Sequence, residues 1–291
     1  MVETKEISAL LTLVDDPDEE VYTSVSSKIE EFGLSIVPNL ENLWENTTSN
    51  DVQERIEMLI HRLHFKDLYK EFSDWKNCGS PDLLYGSLLV SKYHYPDLDT
   101  NQVMKELNAI RKSIWLELNH FLTAFEQANV LNSMLYNYFN LKGIEMKYNN
   151  PDNFFLHKVI ESKKGNSIAN GILYQILCEM LMVPVQVISI PRQFILAFYK
   201  LDYDPSLTKE HPKKFIQFYI DALTGKAYSN EAMNIYFQKI KQEPKASYFK
   251  PLSNLQIIRL QLLELSKCFN TVESAYKKEE LILLADLLKE N

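Results

Sequence analysis

The chain has 291 residues, 31 basic and 39 acidic for a net charge of −8, with 46% hydrophobic and 24% charged residues. No basic cluster exceeds the pairs Lys213-Lys214 and Lys277-Lys278, so the acidic balance argues against nucleic acid and anionic membrane surfaces as partners. Charges interrupt every apolar run well short of the ~18 residues a membrane helix needs, and only seven glycines occur, too few for the tight turns of a sandwich or barrel.

The predicted elements begin with short amphipathic helices over the first 75 residues. The opening MVETKEISALLTLVDDPDEE has no basic n-region or cleavage site and reads as no secretory signal. Asp15-Asp16-Pro17-Asp18 is a helix start: carboxylate oxygens cap orphan amides, and Pro17 stands where a missing N–H costs little. Val21, Val25 and Ile29 then form one apolar stripe, which returns thirty-one residues later as Val52, Ile56 and Ile60 behind Ser49-Asn50-Asp51. Between them Gly33 ends a helix and Pro38 opens another, carrying Leu40, Leu43 and Trp44. The repeated stripe suggests a small HEAT-like array over residues 1–78, with chance helical similarity as the alternative.

A polar turn at Asn77–Pro81 leads into helices over 82–93, 100–120 and 123–140. In the middle one, Val103, Leu107, Ile110, Ile114 and Leu118 line one face. The character changes at Asn149-Asn150-Pro151. A helix from Phe154 to Ile160 and the turn Lys163-Lys164-Gly165 precede an apolar helix over 168–182. Three strands rich in β-branched and aromatic residues follow: Val185–Ile190, Phe194–Tyr199 and Phe215–Ile220. Residues 202–214 form a polar hairpin insertion. Two helices close the chain, over 252–268 and 272–289, spaced like one helical-repeat hairpin. The expected domains are residues 1–78, a core over 79–245 and a helical end over 246–291, an α+β but mostly helical chain.

Cys78, Cys178 and Cys268 lie about a hundred residues apart, so they build neither a disulfide framework nor a metal cluster. They read as free thiols in a reducing cytoplasm. His61 and His64 stand at i, i+3 without a supporting carboxylate and read as a solvated helix end rather than a metal site. There is no phosphate-cradling glycine loop. No cofactor or metal is expected. Tyr136, Tyr138, Phe139 and Tyr148 read as core and rim.

The stretches Tyr95-Pro96-Asp97-Leu98-Asp99, Asn149-Asn150-Pro151-Asp152-Asn153, Lys164-Gly165-Asn166-Ser167-Ile168, Leu173-Tyr174 and Ile190-Pro191-Arg192-Gln193-Phe194-Ile195-Leu196 carry a resemblance. Together, over about 82–225, they resemble the transglutaminase-like core, and within that superfamily the SirB-type bacterial proteins. The order is glycine, small residue, four-turn helix, proline-marked strand, then two strands ending in an acid. In active members a cysteine opens the helix, a histidine starts the next-but-one strand, and an aspartate lies on the strand after that. The helix dipole and exposed amides lower the thiol pKa, the imidazole takes the proton, and the acid orients the imidazole. The resemblance puts Ser167 in the cysteine place, seventeen residues before Pro184, with Gln193 in the histidine place and Asp221 in the acid place. Only the acid survives, and Asp221-Ala222-Leu223-Thr224-Gly225 departs from the Asp-Pro-Phe motif of the SirB-type branch, which itself commonly lacks the cysteine.

A serine nucleophile needs a general base, and Gln193 has no titratable nitrogen. Removing one triad member costs on the order of 10⁴-fold in hydrolases. Cys178 is no substitute, since eleven residues along one helix place it about 16 Å from Ser167. Ser167 is therefore expected as a helix N-cap, Asp221 as a hydrogen-bonded structural acid, and His157 and His211 as surface or capping residues; Asn170 faces either the cleft or solvent. These residues imply a non-enzymatic interaction or regulatory protein with a protein or peptide partner. Two other readings stand beside it: a hydrolase or amidase using Ser167 with Asp221 and a histidine from elsewhere, and a small-ligand or peptide sensor using the old cleft.

Overall fold

A computed structural model describes residues 5–119, 121–205 and 207–290. Residues 1–4 of the expected N-terminal region, His120 at the end of the expected 100–120 helix and Ser206 of the hairpin insertion lie outside them. The chain divides into two compact units, residues 1–74 with 92–96, and residues 75–91 with 97–291.

The first unit is helical: α1 (Lys5–Thr12), α2 (Glu19–Glu31), α3 (Val37–Asn46) and most of α4 (Asn50–Asn77). The cap of α2 is Asp18, whose carboxylate accepts from the Glu20 amide, so Pro17 precedes the cap instead of occupying the first turn. Both expected stripes are inward: Val25, Ile29, Val52 and Ile56 are buried, and Val21 and Ile60 pack against them. The helices are not uniformly short. Asn50 to Asn77 is one helix of 28 residues, because no proline or glycine interrupts it before Gly79.

The second unit holds most of α5 (Leu83–His94), then α6 (Thr100–Glu117) and α7 (Ala124–Asn132), the last capped by the reciprocal Thr123–Glu126 box. Helix α7 continues as a π-helical turn over Ser133–Tyr138, then Asn140 turns through a left-handed backbone. Strands β1 (Lys142–Gly143) and β2 (Lys164–Gly165) pair in parallel around α8 (Leu156–Ser162). His157 in α8 is 3% exposed with its ring 6.0 Å from Phe155, correcting the surface or capping expectation: it sits inside the apolar run Phe154-Phe155-Leu156-His157, and its neighbours carry it inward. His211 does cap, accepting from the Lys213 amide at the short helix Pro212–Phe215.

Helix α9 (Ser167–Leu181) is buried continuously from Ile168 to Cys178 and packs on the antiparallel sheet β3 (Val185–Ile190), β4 (Gln193–Tyr199), β5 (Ile216–Ile220) and β6 (Ala227–Tyr228), in that spatial order. Gly171 permits the contact, since a Cβ there would meet the Phe194 ring at 2.5 Å. The opposite face of the sheet carries Ile188, Ile195, Ala197, Tyr199 and Tyr219 under Met233 and Phe237 of α10 (Asn230–Lys239), a helix and a strand β6 that the sequence reading omitted. Burial on both faces explains why these strands read as near-continuous apolar runs. Edge strand β3 is partly closed by protein: Gln175 Oε1 accepts from the Val187 amide, and the Leu252 amide donates to Val187 O. The chain ends in the packed pair α11 (Asn254–Ser266) and α12 (Ala275–Leu287).

Candidate functional site

A cavity of about 950 Å³ in the second unit is bounded by the start of α9, the β3–β4 hairpin tip, the turn after β5, one face of α10 and one side of α11. Ser167, Gln193 and Asp221 all line it. Local chemistry explains each placement. Asn166, 1% exposed, is the N-cap of α9, its Oδ1 accepting from the Ile168 and Ala169 amides at 3.0 Å each. Ser167 is thus the first helical residue, one position past its expected capping role, and its half-buried side chain is left on the cavity wall. Gln193 opens β4, paired with Ile190 across a two-residue turn, and its side chain is exposed. Asp221 lies just beyond the end of β5, where the strand gives way to a turn. Its Oδ1 accepts from the Leu223 amide at 2.9 Å and its Oδ2 from the Thr224 hydroxyl at 2.7 Å. That carboxylate organises its own turn. Asn170 faces neither the cleft nor solvent: it is fully buried against Gly165, and neither polar atom of its amide has a hydrogen-bond partner among the described residues.

The remaining charges of the lining fall into two groups. Glu264 of α11 accepts from the Tyr148 hydroxyl at 2.7 Å and from Lys267 Nζ at 2.6 Å, and Lys267 stands 5.5 Å from the Tyr148 ring centroid. The hydrogen bond to Glu264 holds the Lys267 ammonium above its ordinary pKa, whereas burial and then Glu264 raise the Tyr148 phenol. Arg192, by contrast, has no ion-pair or hydrogen-bond partner among the described residues. On α10, the Tyr236 hydroxyl donates to Pro191 O at 2.7 Å, and burial raises that phenol while Arg192 opposes the rise.

What can this arrangement do? No histidine and no cysteine occurs among the described residues lining the cavity. Cys178 is fully buried toward the far end of α9, and burial pushes its thiol well above the ordinary value, the reverse of an activated nucleophile. Burial also lifts Cys268, to about 11. A serine hydroxyl could in principle use a lysine as base, but such a lysine needs a lowered pKa, and Lys267 is raised. Among the described residues no group of three His, Cys, Asp or Glu side chains could hold a metal, and no helix is long and apolar enough to cross a membrane.

Sequence reasoning missed several lining residues, among them Met233, Ile235 and Tyr236 of α10, Glu264 and Lys267 of α11, and Arg192. A signal for α10 was present: Ser229 caps the helix by accepting from the Ala232 amide, and Met233, Tyr236, Phe237 and Ile240 follow helical spacing.

A family profile described as the transglutaminase-like superfamily matches residues 101–262, a span that contains the cavity's β strands, α9, α10 and part of α11. A UPF0162 protein from Xylella fastidiosa (strain Temecula1) is 24% identical over 127 residues, which cover 42% of this chain and 45% of that relative. The chain therefore spans less than half the length of the curated relative it matches. No solved structure matches.

Proposed function

The chain belongs to the transglutaminase-like superfamily, and we propose that it uses this fold to bind a protein or peptide partner without turning it over. One observation carries the reading: Ser167, Gln193 and Asp221 line one cavity, and the described residues of its lining include neither thiol nor imidazole. Acyl transfer on this fold needs an activated nucleophile and a base within hydrogen-bond reach. Here the hydroxyl has no imidazole beside it among the described lining residues, the amide cannot accept a proton at neutral pH, and the acid is already committed to Leu223 and Thr224. What remains is a concave, mostly apolar surface of the size that ligands occupy.

Within this reading the motifs place the chain in the SirB-type branch. The N-terminal helices of the HEAT-like kind and the tetratricopeptide-like pair α11–α12 supply further contact surface, since stacked helical hairpins present extended faces. The three cysteines are unpaired, which suits a reducing cytoplasm. The domain division at residues 78 and 245 belongs to the same proposal.

A hydrolase using Ser167 with Asp221 is the competing account, favoured by one fact, that both residues line the same cavity. Incubation with a glutamine peptide and a labelled primary amine separates the accounts. The binding reading expects no incorporation above buffer, for the wild-type protein and Ser167→Ala alike. Incorporation or hydrolysis abolished by Ser167→Ala would establish the enzyme.

A further inference from the structure

The turn Ile190-Pro191-Arg192-Gln193 joins β3 to β4 with two central residues, since Ile190 pairs with Gln193. Proline suits the first central position of such a turn. The second, at φ +67°, lies in the left-handed region that glycine occupies without strain and that a side chain enters at a cost. Arginine stands there. Its turn is held from α10 by the Tyr236 hydroxyl on Pro191 O, so this exposed, strained residue is held in the cavity lining. Strain kept in a cavity lining motivates a functional question.

The charges of the lining answer it. Lys267 is matched to Glu264, and Asp221 has both oxygens engaged in its own turn. Arg192 is exposed and has no ion-pair or hydrogen-bond partner among the described residues. The same lining contains the apolar side chains of Ile168, Ile190, Phe194, Met233, Ile235 and Leu260. A guanidinium presents a planar fork of donors that matches a carboxylate with two parallel hydrogen bonds. The exposed amide of Gln193 stands next to it on the same rim.

Resting on the binding reading above, we infer that the cavity takes an apolar ligand ending in a carboxylate, recognised by Arg192. The apolar body occupies the wall formed by α9, α10 and α11, and the anion stays at the rim, away from Asp221. Two sources share this chemistry: the free C-terminus of a peptide with apolar end residues, and a free aliphatic acid.

Isothermal titration with acetyl-trileucine as free acid, the same peptide as C-terminal amide, and decanoic acid tests the inference on the wild-type protein, Arg192→Gly and Arg192→Lys. Glycine accepts the left-handed turn, so that variant is expected to stay folded, and far-UV circular dichroism checks it. The expected result is a preference of about tenfold or more for acid over amide, the size of a charge-assisted hydrogen-bond pair. Arg192→Gly should erase that preference and Arg192→Lys should keep part of it. Binding of the peptide acid but not decanoate assigns the source to a peptide terminus; the reverse assigns it to a free acid, which supports the carboxylate and overturns the peptide partner of the binding reading. Equal affinity for acid and amide, or a preference that survives Arg192→Gly, overturns the inference while leaving the binding reading intact. No binding by any probe overturns the inference, and Ser167-dependent turnover of an ester analogue brings down the binding reading.

Discussion

The body of α9 and its first turn belong to one helix and follow different constraints. From Ile168 to Cys178 every side chain is buried, including Asn170 and Gln175, and the helix packs directly on β3 and β4. At the first turn, Asn166 turns inward to cap while Ser167 faces the cavity. The body is held by packing that tolerates no missing volume, and the turn by a cap that is indifferent to its neighbour's chemistry. A fold of this kind can therefore lose a nucleophile without losing its helix. The same split recurs across the hairpin: Leu196 and Phe198 of β4 are buried, while Gln193 at its start is exposed.

Three substitutions sharpen or break that contrast, in falling order of effect. Leu177→Ala removes a fully buried side chain from the helix body. It should cost about 2–5 kcal/mol of unfolding free energy, read from urea denaturation. A loss below about 1 kcal/mol would show that the body is not the packed core described here. Asn166→Ala deletes the acceptor of two buried amides. The expected cost is about 1 kcal/mol, read from the same urea midpoint, and serine at that position should recover most of it. Ser167→Ala, one residue further on, should change stability by no more than about 0.5 kcal/mol, because its side chain lines the cavity and has no hydrogen-bond partner among the described residues. If Ser167→Ala matched the Asn166→Ala loss, the boundary between cap and cavity residue would lie elsewhere.

Much of this framework was legible in the sequence. The apolar stripes of α2 and α4, the face of α6, the helix α9 and the strands β3, β4 and β5 rest on periodicity and punctuation, and the structure places them within a few residues of expectation. The matched family span agrees with the transglutaminase-like resemblance drawn from the motifs. The parts that escaped have physical reasons. Asn166 and Ser167 are both competent caps, and spacing from Pro184 cannot choose between adjacent residues. His157 looked like a surface residue by type, but the apolar side chains around it decide its burial. Helix α10 has only Met233 and Phe237 buried, so its sequence looked polar until the cavity gave Ile235 and Tyr236 a place to face. Arg192 escaped because a left-handed turn residue is ordinarily sought among glycines, and because an unmatched charge is visible only when the other charges have found their partners.

The central proposal is that Ser167, which lines the cavity with Gln193 and Asp221, is a chemically ordinary serine. Labelling the folded wild-type protein with a fluorophosphonate, which reacts only with activated serines, tests it most directly, with peptide mapping of the adduct and Ser167→Ala as control. The account predicts no adduct at Ser167 under conditions that saturate a serine hydrolase. A stoichiometric adduct at Ser167, absent from the alanine variant, would contradict it.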